Sequence, residues 1–387
     1  MPEFRKGMEY SVEELNSSNA QSWSKLNEEN SQGSFYHTLK WKEAVDRFPV
    51  FPQDKPRHFI VYRKDEPVAL CPLYLRQWKI KGIFPMRTLS YPPNENIIVS
   101  YPEDALLAKQ IVTKCKEMQR VDRSAYTCIS LLPETKNFFR SMNITSIQGP
   151  GFGAGEMALN LRENSPEMIW NSFLSRNDKR KINRVEKDGW KLEEAKSEEE
   201  LRSFYEYYRA NLQYLRARYI PEFSFFVYLM KTFYPNEMLV FLLRKDETVA
   251  GGGLTFLFER KKTMYCKYAA LNRQVPPTLS PFFSLMWHMV KKASAMGYTT
   301  VSFGNSPPYP DIHYQIKAKF GCSFEPRYEV TFPRLGALIN SAVTRLDSFS
   351  YNVEQKFERM TAASRIRIRS SFRKGAKFSE QRETSRI

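Results

Sequence analysis

Two stretches of the chain carry the same alternation of apolar and polar positions. Residues 58–75 read HFIVYRKDEPVALCPLYL, and residues 240–258 read VFLLRKDETVAGGGLTFLF. In each, an apolar run meets a charged turn and then resumes, which is the pattern of a β-hairpin. The segment Arg63-Lys64-Asp65-Glu66-x-Val68-Ala69 matches Arg244-Lys245-Asp246-Glu247-x-Val249-Ala250 at one constant offset. The echo predicts two copies of one module, related by internal duplication.

The flanking patterns agree. Phe35–Val45 has the apolar spacing of a helix ahead of the first hairpin, and Ala105–Cys115 has it again before a strand over 126–132. In the second half a helix is expected from Ser197 to Leu215, with Ser197 as N-cap and Glu200 completing a capping box. A strand over 263–270, a helix from Pro281 to Met296 closed by Gly297, and a strand from Thr299 to Phe303 follow. Alternating strands and helices predict an α/β (α+β) protein of layered sheets and helices. The expected domains are an N-terminal lobe at 1–155 and a C-terminal lobe at 156–340. A C-terminal helix and a basic tail at 341–387 complete the chain. The glycine-rich 149–155 reads as the crossover between lobes.

Composition narrows the class. Of 387 residues, 42% are hydrophobic and 26% charged, the balance of a globular protein. The longest apolar run, Met238–Leu243, is far too short to span a bilayer, and the opening MPEFRKGMEYS has no apolar stretch after its charges. These features point to a cytoplasmic protein. The five cysteines are dispersed without a CxxC pair, so neither a disulfide frame nor a zinc site is expected. The net charge of +17 implies an anionic partner. Part of it lies in the tail, where residues 361–387 carry eight basic and two acidic side chains.

Two segments could carry chemistry. On a helix over 176–191, Arg176, Arg180, Arg184 and Lys187 share one face. That stripe is either a solvated helix face or a ridge that tracks a phosphate backbone or a diphosphate. The second is Phe303-Gly304-Asn305-Ser306 at a strand end, followed by a short helix that carries His313 and Lys317 and ends at Gly321. A lysine placed there can reach the crevice at the strand ends and hold a carbonyl oxygen as charge builds in acyl transfer. His313 is a candidate proton acceptor. The aromatic belt Tyr205, Tyr207, Tyr208, Tyr214, Tyr219 and Tyr228 is expected to be mostly core, with a few rings able to line a binding channel, and Tyr268 on the expected strand over 263–270 is a candidate substrate-binding residue.

These residues resemble a known family. Trp170-x-x-Phe173 followed by Arg180-x-Ile182-x-Arg184-x-x-Lys187-x-Gly189 is similar to the basic helix that opens the second lobe of Fem-type peptidyltransferases, relatives of the GNAT acyltransferases. Phe303-Gly304-Asn305-Ser306 is similar to the family's strand end, with Asn305 where arginine is frequent. Ile316-Lys317-x-x-Phe320-Gly321 and Glu325-Pro326-x-Tyr328 resemble the motifs that follow it. The resemblance covers about residues 30–335. It implies two tandem GNAT-like lobes and transfer of an aminoacyl group from a charged tRNA to an amine. Lys317 would then be the cation at the donor end, and Arg180 and Arg184 would belong to the family's basic helix and neutralise tRNA or another anionic substrate; Arg176, Lys187, Tyr268, Asn305 and Ser306 complete the candidate substrate-binding residues, with His313 and Asn305 departing from the family pattern. Residues 197–232 are too short and too aromatic for a coiled-coil arm, so an armless member is implied. No cofactor and no metal are expected. The segment 270–278 has two prolines and no glycine, so its backbone offers few donors to a pyrophosphate, and acyl-CoA is the less favoured donor. Two rival readings remain. One is an acyl-CoA-dependent N-acyltransferase; the other is a non-catalytic binder of RNA or of an anionic membrane through the basic tail and ridge.

Overall fold

In a computed structural model, residues 10–49, 54–80, 84–92, 94–149, 154–215, 217, 219–276, 279–307 and 312–333 are described. The expected basic tail lies outside them. The described residues of Met1–Trp78 and Met86–Phe332 form one compact unit.

The chain opens with β1 (Tyr10–Glu14), α1 (Ala20–Glu29) and α2 (Leu39–Arg47). A single 3-10 turn at Phe35–His37 precedes α2, because Thr38 is extended and its hydroxyl accepts the N–H of Trp41 as a cap. The helix expected from Phe35 therefore starts four residues late. Then come β2 (Lys55–Pro56), β3 (Phe59–Arg63), β4 (Glu66–Cys71), β5 (Tyr74–Ile80), β6 (Phe84–Ser90), β7 (Ile98–Val99), α3 (Ala105–Val121), β8 (Tyr126–Leu131) and β9 (Ile147–Gln148). The second half adds β10 (Gly155–Asn160), α4 (Pro166–Met168), α5 (Arg176–Lys187), β11 (Lys191–Glu194), α6 (Glu198–Tyr214) and α7 (Phe223–Phe233). It continues with β12 (Met238–Lys245), β13 (Thr248–Phe258), β14 (Thr263–Leu271), α8 (Pro281–Ala295), β15 (Thr300–Ser306), α9 (Ile312–Ala318), β16 (Ser323–Pro326) and β17 (Tyr328–Pro333). The capping box at Ser197 and Glu200 is present as expected.

Both sequence echoes are antiparallel hairpins with two-residue loops. They differ by one residue at the turn. Arg63 pairs with Glu66, whereas Lys245 pairs with Thr248, so the left-handed first loop residue is Lys64 in one and Asp246 in the other. Each half also holds one parallel strand pair joined through a helix: β6 with β8 through α3, and β14 with β15 through α8.

The strands form three sheets, in the orders β1-β3-β4-β7, β2-β5-β6-β8-β17-β9 and β11-β12-β13-β14-β15-β10-β16. The last is apolar on both faces. Val240 and Leu242 face one cluster with α6 and α7, while Leu239 and Phe241 face another with α8. Alternate residues of one strand thus feed two cores, as expected of a strand covered on both sides.

The boundary expected at 155/156 does not separate these sheets. Strand β17, near the chain end, lies between β8 and β9 in a first-half sheet, with Tyr328 opposite Gln148. Phe35, Tyr36, Trp41 and Ala44 belong to the core of the second lobe. Phe35 stacks on Phe256 with centroids 4.4 Å apart, and Trp41 meets the same ring edge-on at 5.2 Å. Neither lobe is complete without chain from the other half. Trp41→Ala is therefore expected to cost about 3–5 kcal/mol and to unfold both halves in one urea transition, followed by circular dichroism. Two resolved transitions would show that the lobes are independent.

Candidate functional site

A parallel pair that parts leaves backbone groups without ladder partners, and those groups must be satisfied by something else. The pair β14/β15 is matched only at Thr263–Thr300, Met264–Val301 and Tyr265–Ser302. Beyond that point no further ladder pairs join the two strands among the described residues. On its other side β15 meets a bulge, because Asn305 is opposite Glu156 and Ser302 is opposite Ala158. Gly304, inside the bulge, has φ +71°, a conformation that favours glycine.

Lys317 satisfies the released groups. It projects from α9, is 6% exposed, and donates to the carbonyls of Gly304 (3.3 Å) and Asn305 (3.1 Å) and to Ser306 Oγ (3.0 Å). The ammonium thus points into the fold and binds the strand end that the sequence singled out. Lys319, two residues on, pairs with the buried Asp178 at 3.2 Å and ties this segment to the start of α5. His313 lies on the same short helix, and its side chain is outside the described residues.

The opposite edge of the gap belongs to β14. Its register against β13 shifts between Leu254–Tyr268 and Thr255–Cys266, so Lys267 is the extra residue of a bulge. Bulges re-aim side chains. Lys267 is half-buried, and its ammonium lies 4.7 Å from the ring centroid of Tyr36, 5.9 Å from Trp41 and 6.0 Å from Tyr268. Among the described residues it has no ion pair. Burial pulls its pKa down to about 8; Glu156 and Glu95 act against that pull, and Arg327 adds to it.

Those neighbours are themselves built in. Glu156 on β10 accepts from Ser302 Oγ and, at 2.7 Å, from Arg327 Nη2. Glu95 is 1% exposed and pairs with Lys42 of α2, which is buried too. Burial pushes the Glu95 carboxyl up and the Lys42 ammonium down. Tyr36 and Tyr265, whose rings lie 5.1 Å apart, are pushed up by burial and stay protonated hydrogen-bond donors.

The first half has an equivalent gap, and the chain fills it. β6 and β8 are matched at Leu89–Thr127 and Ser90–Cys128. The following loop then closes the space, with Tyr91 N–H donating to Cys128 O and Ile97 N–H to Ser130 O.

The expected basic ridge is present. In α5, Asp178, Ile182 and Val185 are buried, while Arg176, Arg180, Arg184 and Lys187 are all exposed. Among the described residues these four form no ion pair. Tyr268 is part of the aromatic wall, edge-on to Tyr208 at 5.5 Å and Phe226 at 5.2 Å. Sequence reasoning did not single out Lys267, Glu156, Arg327, Glu95 or Lys42. A signal existed for Lys267, a lone charge inside the otherwise uncharged strand TMYCKYAAL.

Residues 172–314 match the family model for an acetyltransferase (GNAT) domain. No curated protein sequence matches significantly. Among solved structures, the fold is similar to FemX, with TM-score 0.61 and 14% identity, over 82% of this chain and 96% of that one. It is similar to the C-terminal domain of a putative lysylphosphatidylglycerol synthetase from Agrobacterium fabrum, with TM-score 0.56 and 13% identity, over 87% and 97%. It is also similar to a tandem GNAT protein from the clavulanic acid biosynthesis pathway, with TM-score 0.54 and 11% identity, over 85% and 100%. The matched domain holds both edges of the open gap, β14 and β15. Residues 172–314 thus match a GNAT domain model, and the chain shares its fold with FemX and with a tandem GNAT protein.

Proposed function

We propose that this protein moves an activated acyl or aminoacyl group onto an acceptor amine in the gap between β14 and β15. The observation that supports this reading is Lys267, an ammonium without a carboxylate partner, held near pKa 8 on the edge of the open strand pair. A base should titrate near the working pH. The neutral amine attacks the carbonyl carbon; the C–N bond forms as the π pair moves to oxygen. The nitrogen's proton passes to neutral Lys267. The bond to the carrier then breaks, and the carrier leaves with that proton. Lys317 is a positioning residue here: its three hydrogen bonds fix Gly304–Ser306 along one wall.

The donor we favour is an aminoacyl-tRNA. The exposed, unpaired stripe on α5 offers four cations at the spacing of a helix face, suited to a phosphate backbone. No resident cofactor enters this scheme. The duplication read from the two hairpins fits a tandem enzyme in which one lobe keeps its gap open.

In a pH profile of kcat/KM, activity rises with a midpoint at about 8, since only the deprotonated lysine accepts a proton. Glu156→Gln removes a charge that holds that proton on, so the midpoint moves down; an upward move contradicts the assignment. Lys267→Met abolishes this limb and lowers turnover roughly 100-fold or more. Lys317→Met disorders the strand end and lowers kcat on the order of 100-fold with little change in KM; unchanged kcat removes it from the account. Neutralising the α5 stripe (R176Q/R180Q/R184Q/K187Q) raises KM for charged tRNA and flattens its salt dependence. An unaltered salt slope excludes the stripe as the tRNA contact.

A further inference from the structure

We propose that Arg327, beside Glu156 of β10, carries a carboxylate-docking site, so that the acceptor is an amine that also carries a carboxylate, an amino acid. Only the word "acceptor" rests on the acyl-transfer reading; the docking site stands on its own geometry. Arg327 lies in the crossing between β16 and β17 and is 9% exposed. Its Nη2 is used by Glu156 at 2.7 Å. Its Nε and Nη1 are buried and, among the described residues, have no hydrogen-bond partner. Asn305, opposite Glu156 in the ladder, likewise has a buried Oδ1 without one.

Unused donors on a buried guanidinium are costly, and a bound acceptor group removes that cost. The partner that suits a guanidinium is a carboxylate, which takes charge-assisted hydrogen bonds from it. The Asn305 carbonyl oxygen, an acceptor, takes the opposite end of the same molecule, its amine.

The test measures binding to the full-length protein by calorimetry at neutral pH. Each common L-amino acid is compared with its primary amide, which keeps the amine and loses the charge. At least one amino acid should bind roughly tenfold or more tighter than its amide. Arg327→Gln alone strands Glu156 and risks misfolding, so the variant used is E156Q/R327Q, which removes both charges and keeps the shape. Its melting temperature confirms folding, and in it the preference for the free carboxylate should vanish. Asn305→Ala should weaken the amino acid but not its deaminated analogue. Absence of binding by every amino acid, equal binding of acid and amide, or a preference that survives in E156Q/R327Q overturns the proposal. If amino acids bind in this way yet none is acylated by any activated donor, the acyl-transfer reading fails and the docking site stands.

Discussion

A strand pair that separates inside a protein exposes backbone groups that water cannot reach, and the rest of this architecture answers that requirement. In the first half the chain supplies its own answer, a loop whose N–H groups reach Cys128 and Ser130. In the second half the answer is a side chain, the Lys317 ammonium on the carbonyls of Gly304 and Asn305. The difference leaves one gap filled and one lined by partly exposed Lys267, Tyr268 and Asn305. The asymmetry between the halves arises from what fills the gap; both halves have the parallel pair itself.

The second requirement is rigidity. Phe35 and Trp41 come early in the chain but pack on Phe256, and β17 comes last but completes a sheet begun before residue 130. These exchanges bind the lobes into one unit. They also bring charges from distant segments together, because Lys42 follows Trp41 and Arg327 precedes β17. The elements that interlock the lobes therefore also carry the groups that surround Lys267. A buried pair such as Lys42–Glu95 costs desolvation energy and adds little net stability; its consequence here is electrostatic, a fixed field at the cleft.

Much of the fold was legible. Hairpins, caps and most helices follow from local spacing, and Ser197 with Glu200 is a case where four residues decide an element. The stripe on α5 was legible because helical periodicity alone sorts Arg176, Arg180, Arg184 and Lys187 from Ile182 and Val185. The lobe boundary was not, because strand exchange is a long-range pairing that leaves no local mark. The charged cluster was hidden for the same reason. Glu95, Glu156, Lys267 and Arg327 lie on four separate segments, and only the folded chain brings them together. Lys317 was visible as a residue, but its partners were not, since they depend on a bulge and on Gly304 adopting a left-handed turn.

The central claim is that chemistry takes place where β14 and β15 part. A crystal structure with a non-hydrolysable aminoacyl-ester analogue tests it most directly. The analogue's carbonyl should lie between those two strands, beside Lys267. An analogue bound instead at β6 and β8, or away from both strand pairs, would contradict it.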